Sequence, residues 1–124
     1  MALKREDVIR VTKELLAEYG EDYEYPTNSG CSYGPTDRAD GCLVGLIAKR
    51  LDPKMYEDLI VYEVSDDYQP HHPWGVINDE DPEGIITAED DDNELLYAMQ
   101  DAQMKQDVGT PWGAAAEPIL ALED

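Results

Sequence analysis

The spacing of apolar side chains near the start of the chain predicts an amphipathic helix. Apolar residues recur there every three or four positions, and charged residues fill most of the positions between them: Val8, Val11, Leu15 and Tyr19. This period is typical of a helix with one buried face. Gly20 then stands where glycine is common, just beyond a helix C-terminus. We therefore predict a helix over Arg5–Tyr19.

Two further helices are indicated in the middle of the chain. Residues 43–51 are almost all apolar and end in Lys-Arg-Leu, which suits a helix C-terminus, although the length alone leaves a strand open. Asp52 and Pro53 then form the sequence of a helix N-cap followed by proline at the first helical position. We expect this helix to run to about residue 60.

Capping signals predict two more helices in the second half. Thr87 starts a sequence that resembles a capping box, and the acidic residues after it suit the first turns of a helix. The apolar stripe that follows continues to Gly109, a typical stop. Thr110 and Pro111 repeat the cap-plus-proline signal and predict a short helix over residues 112–116.

The remaining segments are predicted to be irregular. Residues 21–41 contain two prolines and three glycines, and an alternation of Tyr and Cys within them permits at most a minor β-hairpin. Residues 65–86 form a long connection with three prolines, and residues 118–124 are expected to be a frayed tail. The whole chain, residues 1–124, is thus predicted to be a single compact domain. Its class is mainly α, with four to five short helices, or small α+β if the hairpin forms.

The charge of the chain is concentrated in its second half. The formal net charge is −20 over 124 residues. Residues 1–62 hold eight bases and twelve acids, whereas residues 63–124 hold one base and seventeen acids, a net of −16. Residues 79–94 alone hold nine acids and no base. Solubility, adaptation to high salt and a partner-binding acidic face would each explain the excess, but its concentration in one half disfavours salt adaptation.

This charge distribution excludes some partners and favours others. A surface of this sign repels nucleic acid and anionic membranes, so we expect neither as a direct partner. A bilayer-spanning run and a signal peptide are not evident, which predicts a cytoplasmic protein. The acidic face would attract a basic protein surface, and if that surface normally binds DNA phosphates the protein would be a DNA mimic. The candidate partner-binding residues are Asp79, Glu80, Asp81, Glu83, Glu89, Asp90, Asp91, Asp92 and Glu94.

Part of the acidic region matches the frame of a calcium-binding loop. Residues 79–90 place acids at positions 1, 3, 5 and 12 of a twelve-residue EF-hand frame, with glycine at position 6 and an aliphatic residue at 8. The candidate metal ligands are Asp79, Asp81, Glu83 and Asp90. Aspartate at position 12 reaches less far than the usual bidentate glutamate, and prolines stand where the incoming helix should be. Calcium or metal binding is therefore an alternative rather than the leading function.

Signals for other site chemistry are weak. Four zinc-type ligands occur, but their spacing fits no zinc-finger pattern: Cys31, Cys42, His71 and His72. The chain has no nucleophile motif, phosphate-binding glycine loop or zinc-protease helix. We therefore expect no cofactor and no enzymatic activity. A small-molecule or enzymatic site of unassigned chemistry, built on the cysteines with Gln103, Asp107 and Trp112, is the remaining alternative.

Two segments resemble a group of short uncharacterised proteins from actinobacteria and their bacteriophages. The first contains Cys31 and Tyr33 and continues in the Gly-Cys-Leu-Val-Gly sequence of residues 41–45. The second has a Gln-x-x-Gln-Asp sequence starting at Gln103, followed by Pro-Trp-Gly-x-Ala. The resemblance covers the middle and C-terminal thirds of the chain and implies an origin in a phage or mobile element, but no activity. The acidic residues 79–92 and the acidic tail at the C-terminus depart from the pattern.

The same segments also have a physical interpretation. Gln103, Gln106 and Asp107 lie at neighbouring helix positions, and Trp112 follows a turn that starts with proline. Such side chains can form a buried amide network that holds the last helices against residues 41–45, and we favour this role over a ligand pocket. As a whole, the sequence predicts a small, acidic, non-enzymatic binding protein that engages a basic host protein surface.

Overall fold

Six α-helices form most of the chain that the computed structural model describes, namely residues 3–25, 41–63, 77 and 85–123. In chain order they are α1 (Arg5–Tyr19), α2 (Leu43–Leu51), α3 (Pro53–Glu63), α4 (Asn93–Asp107), α5 (Trp112–Ala115) and α6 (Glu117–Leu120). A 3₁₀ turn over Glu89–Asp91 precedes α4. The prediction of a mainly α fold is confirmed, with two one-turn helices near the C-terminus where one was expected.

Strands are not found in the described residues. Two isolated parallel bridges occur, one between Leu3 and Ala88 and one between Ile77 and Ile86. Residues 23–25, one half of the expected hairpin, are not in a strand. The other half, with Cys31 and Tyr33, lies outside the described residues.

Helix α1 has the predicted bounds because its pattern and its stop signal agree. Val8 and Leu15 are fully buried on its inner face. Gly20 follows with φ of 95°, a left-handed conformation that glycine adopts without strain, and its N–H reaches the Leu16 carbonyl.

Helices α2 and α3 follow each other with one residue between them. Residues 43–51 are helical, and every residue from Leu43 to Ala48 is buried, so an apolar run without clear periodicity is here a helix in the core. Asp52 caps α3 as predicted, since its Oδ1 accepts from the Met55 N–H at 3.2 Å. Helix α3 extends to Glu63, three residues beyond the expected end.

Helix α4 begins at Asn93, six residues after the predicted start at Thr87. The backbone around Thr87 instead pairs with Leu3: the Leu3 N–H donates to the Thr87 carbonyl at 2.8 Å, and the Glu89 N–H donates to the Leu3 carbonyl at 2.9 Å. Asp92, not Thr87, is the cap, with Oδ1 accepting from the Leu95 N–H at 3.2 Å. A local capping signal was thus overridden by a contact with a residue far away in sequence.

The C-terminal residues are helical and packed, which corrects the expectation of a frayed tail. Pro118 lies in the first turn of α6, where its missing N–H removes no helical hydrogen bond. Ile119 is fully buried, and Leu120 and Leu122 pack against the core. Glu123 forms an ion pair with Lys13 of α1. Proline is therefore part of the first turn of a helix here and does not end the structure.

One hydrophobic cluster contains residues from all six helices. Ile77 belongs to it, fully buried, and its carbonyl accepts from the Gln100 side chain at 2.5 Å. This residue anchors the predicted long connection, most of which lies outside the described residues. Among the described helices, none has the length and hydropathy that crossing a bilayer requires.

Candidate functional site

Four of the predicted partner-binding acids lie together, in a cluster that we call the acidic corner: Glu89, Asp90, Asp92 and Glu94. They occupy the 3₁₀ turn and the start of α4, beside Lys4 and Arg5. Asp90 is exposed and has φ of 58°, a left-handed conformation that aspartate tolerates better than most residues. The Glu94 side chain is 79% exposed, whereas that of Asp92 is only 18% exposed. Asp91 lies in the same turn.

Arg5 fixes the inner residue of the acidic corner. Its Nε and Nη2 donate to the two carboxylate oxygens of Asp92 at 2.8 and 2.5 Å, and Glu94 lies 3.7 Å from the same guanidinium. The hydrogen bond from Arg5 lowers the pKa of Asp92 and outweighs the opposing effect of burial; the Leu95 N–H acts in the same direction as Arg5. Asp92 thus joins α1 to α4 and caps α4, so its carboxylate is engaged within the chain.

The substitution Asp92→Asn should remove the negative charge of this residue while keeping its role as the N-cap of α4. Asparagine still caps a helix but cannot form the ion pair with Arg5. Because the folded pKa of Asp92 is lowered, its stabilisation is complete above the unfolded value of about 3.9 and is lost as the pH falls through the folded value. We expect a lower urea midpoint than wild type at pH 7 and a smaller difference at pH 3. A difference that is the same at both pH values would contradict the role of the charge.

A cavity of about 730 Å³ opens at the acidic corner. Side chains of both signs line it. Lys4 and Arg5 are the bases, and Glu6 and the four residues of the acidic corner are the acids. A smaller cavity of about 370 Å³ adjoins it, between Arg10 and Lys13 of α1 and Leu122 near the C-terminus. Walls with this charge suit a charged group of a partner rather than an apolar ligand.

The basic side chains of the described residues are almost all held by carboxylates of the same chain. Seven of the eight described Lys and Arg side chains have a carboxylate oxygen within 4.0 Å: Lys4, Arg5, Arg10, Lys13, Arg50, Lys54 and Lys105. The eighth, Lys49, lies 5.6 Å from the ring centroid of Tyr56. The remaining carboxylates therefore find few unpaired basic side chains among the described residues.

The predicted structural motif is a glutamine network that caps α2. Gln106 Oε1 accepts from the Leu43 N–H at 2.9 Å, and Gln103 Oε1 accepts from the Val44 N–H at 3.3 Å. Both amide nitrogens donate to Oδ1 of Asp107, at 3.0 Å from Gln103 and 2.8 Å from Gln106.

Cys42 completes this cap, since its Sγ accepts from the Gly45 N–H at 3.3 Å. The first three N–H groups of α2 are thus all satisfied by side chains. Cys42, Gln103 and Gln106 are buried, so these residues support the fold and leave α2 with no open N-terminal donors for a ligand.

Trp112 belongs to the hydrophobic cluster and packs against two half-buried tyrosines. Its ring is fully buried, with ring centroids at 5.1 Å from Tyr19 and 4.6 Å from Tyr23. Trp112 Nε1 is buried without a hydrogen-bond partner among the described residues. The backbone N–H of Trp112 donates to the Tyr23 carbonyl at 2.8 Å, and that of Gly113 donates to the Glu21 carbonyl at 2.8 Å. The Pro-Trp-Gly sequence therefore docks α5 on the segment that follows α1.

Several predicted site residues fall outside the described part of the chain: Asp79, Glu80, Asp81 and Glu83 of the acidic region, Cys31 and Tyr33 of the motif, and His71 and His72. Asp90, the twelfth residue of the calcium frame, lies in the 3₁₀ turn, and α4 starts three residues later. In an EF-hand the exiting helix already contains that residue. Among the described residues, no group of three or more metal-ligating side chains occurs.

The sequence pattern also contained a feature that the prediction did not use. Tyr97 and Met104 are exposed apolar side chains on the outer face of α4, and Val108 is exposed at the C-cap of this helix. Their spacing of seven and four residues is helical and indicates a second apolar line on this helix, in addition to the buried one. No sequence signal, in contrast, pairs Arg5 with Asp92, because 87 residues separate them.

Comparison of the chain with protein-family models, with curated proteins and with solved structures finds no match.

Proposed function

We propose that this protein is a small, non-enzymatic, acidic binding protein that engages a basic surface of a partner protein through its acidic corner. The observation that supports this proposal most is that most of the described basic side chains already form ion pairs with carboxylates of the same chain. Nearly every described base already contacts a carboxylate or a ring, and the whole chain still has a net charge of −20, which ions or a partner outside the protein must balance. A basic protein surface would balance part of it and release counterions.

The most specific form of the proposal is mimicry of DNA in the cytoplasm of a host cell. A groove that binds phosphates has basic side chains at short intervals, and the exposed carboxylates Asp90 and Glu94 lie only four positions apart on a rigid turn and helix. The resemblance of the chain to actinobacterial and phage proteins makes an actinobacterium the appropriate source of partners. Binding of this kind should weaken steeply as the salt concentration rises.

A pull-down from an actinobacterial lysate tests the proposal. Immobilised protein should retain a basic protein at low salt and release it at high salt. With the purified partner, Glu89→Gln/Asp90→Asn/Glu94→Gln should raise the dissociation constant about tenfold, because three charges leave the contact. Recovery of no basic protein at low salt would refute the proposal.

A charge-matched variant controls for the loss of net charge. Glu21, Asp22 and Glu24 are exposed and lie outside the acidic corner. Neutralising these three acids removes the same charge and should change the dissociation constant less than threefold. Equal weakening by both triple variants would show that net charge, not the corner, determines binding. Duplex DNA should compete with the protein for the partner if the partner site is a phosphate groove.

A further inference from the structure

The outer face of α4 carries an exposed stripe that no described element covers. It consists of Glu94, Tyr97, Asp101 and Met104 on the helix and of Val108 at its C-cap, and we call it the α4 stripe. The residues are 79%, 66%, 54%, 44% and 81% exposed, as side chains for the two acids and as whole residues for the others. Among the described residues, the only other large exposed apolar side chain is Val61 on α3. Three of the four therefore lie in one line.

The spacing of the α4 stripe is that of a helix seam. Its members are separated by three, four, three and four residues, the interval at which side chains of one helix meet a partner helix. The opposite face of α4 is already buried in the core through Leu95, Met99 and Ala102. Helix α4 thus has two apolar faces, of which one supports the fold and the other is left open.

The charges on the α4 stripe determine the kind of helix that fits. Two of its five members are acids, and each has one base beside it: Lys105 lies 3.6 Å from Asp101, and Arg5 lies 3.7 Å from Glu94. Both carboxylates nevertheless stay more than half exposed. In a second copy of this chain, acids would face acids, and each copy would bring a net charge of −20. A basic helix meets neither objection, because its Lys or Arg side chains would lie opposite Glu94 and Asp101 and its apolar residues opposite Tyr97 and Met104.

We infer that the α4 stripe docks a basic amphipathic helix of a partner protein. This inference rests on the proposed function and deepens it, since it names the structural element of the partner. Tyr97 and Met104 are the anchors, because aromatic and methionine side chains contribute large contact areas and Met adapts to different partners. Glu94 belongs to both the stripe and the acidic corner, so the two surfaces are continuous.

A designed peptide pair tests this inference without knowledge of the partner. The first peptide is a Leu/Lys sequence that forms a basic amphipathic helix, and the second has the same composition in an order without helical periodicity. Fluorescence anisotropy should show the first peptide binding at least tenfold more tightly than the second. Tyr97→Ser/Met104→Ser should remove that preference, whereas Val61→Ser, equally exposed on α3, should leave it intact.

Each result has a defined meaning. Equal, salt-sensitive binding of both peptides would overturn docking on the α4 stripe while leaving the proposed acidic binding function in place. Binding of neither peptide would overturn the docking inference, and the lysate experiment would then decide the proposed function separately. Sedimentation that shows a dimer lost in Tyr97→Ser/Met104→Ser would make a second copy the occupant and refute the inference. Because the changed residues are exposed, circular dichroism and thermal unfolding should match wild type, and backbone amide shifts on peptide addition should lie on α4.

Discussion

Replacing Gln106 by alanine is expected to lower the free energy of unfolding by about 3 kcal/mol. Gln106 is fully buried, accepts from the Leu43 N–H and donates to Asp107. The substitution leaves a cavity in the core and a backbone donor at the start of α2 without a partner. Urea denaturation followed by circular dichroism measures the loss.

Gln100→Ala is the matched control for this experiment. Gln100 has the same side chain on the same helix, but it is only half-buried and makes one described hydrogen bond, to the Ile77 carbonyl. Its replacement should cost about 1 kcal/mol. Equal losses for the two variants would contradict the importance of the buried network.

An isosteric change at the same position gives a second test of the network. Gln106→Glu keeps the shape of the side chain and the oxygen that accepts from the Leu43 N–H. It replaces the amide nitrogen, which lies 2.8 Å from Oδ1 of Asp107, by a carboxylate oxygen. Two carboxylates at this distance, one buried and one half-buried, repel, and one of them gains a proton as the pH falls. We expect this variant to be less stable than wild type at pH 7 and to recover part of the difference at pH 5.

Replacing Gly113 by alanine is expected to cost about 2 kcal/mol, because a side chain does not fit at this position. A Cβ there would lie 2.7 Å from the Glu21 Cβ and 3.0 Å from the Glu21 carbonyl oxygen. Two backbone hydrogen bonds, from Trp112 to Tyr23 and from Gly113 to Glu21, fix the segments at this separation. The added methyl group must therefore push α5 away from the chain that follows α1. Thermal and urea unfolding of the variant measure the effect.

A double-mutant cycle isolates the steric cause. Glu21→Gly removes the Cβ that the new methyl group would meet, so it should partly restore the stability of Gly113→Ala. Additive effects of the two changes would contradict a direct clash. Gly109→Ala serves as a control, since nothing lies within 4 Å of a Cβ there and only its φ of 92° opposes a side chain. Its cost should be about 1 kcal/mol.

The local helices were predictable where the signals in the sequence agreed with one another. Helix α1 has a periodic apolar face and a glycine stop, and α3 has an Asp-Pro start. The first residue of each helix was predicted correctly. The role of Gln103 and Gln106 was also suggested by their spacing, because buried amides on one helix face need partners. Their actual partners are the first N–H groups of α2, which no local rule identifies.

The start of α4 and the C-terminal tail were not predictable by the same rules. Thr87 has a good capping sequence, but its carbonyl accepts from the Leu3 N–H, and the Glu89 N–H donates to the Leu3 carbonyl, so this segment pairs with the N-terminal residues. Pro118 resembles a helix breaker, but it lies in the first turn of α6, and burial of Ile119 favours this helix. At Thr87 a contact between residues far apart in sequence outweighed a capping preference of about 1 kcal/mol, whereas at Pro118 the position in the first turn of α6 makes proline compatible with a helix.

The sequence by itself determined the helical class, the bounds of α1, the caps around Asp52 and the concentration of negative charge. These follow from short-range periodicity, capping and composition, which act within a few residues. Only the tertiary structure decided which acids are engaged internally, through the pairing of Arg5 with Asp92, and which side of α4 is left open. The physical reason is that ion pairing and burial depend on neighbours brought together by folding, so the same aspartate can be a cap, an ion-pair partner or an exposed charge.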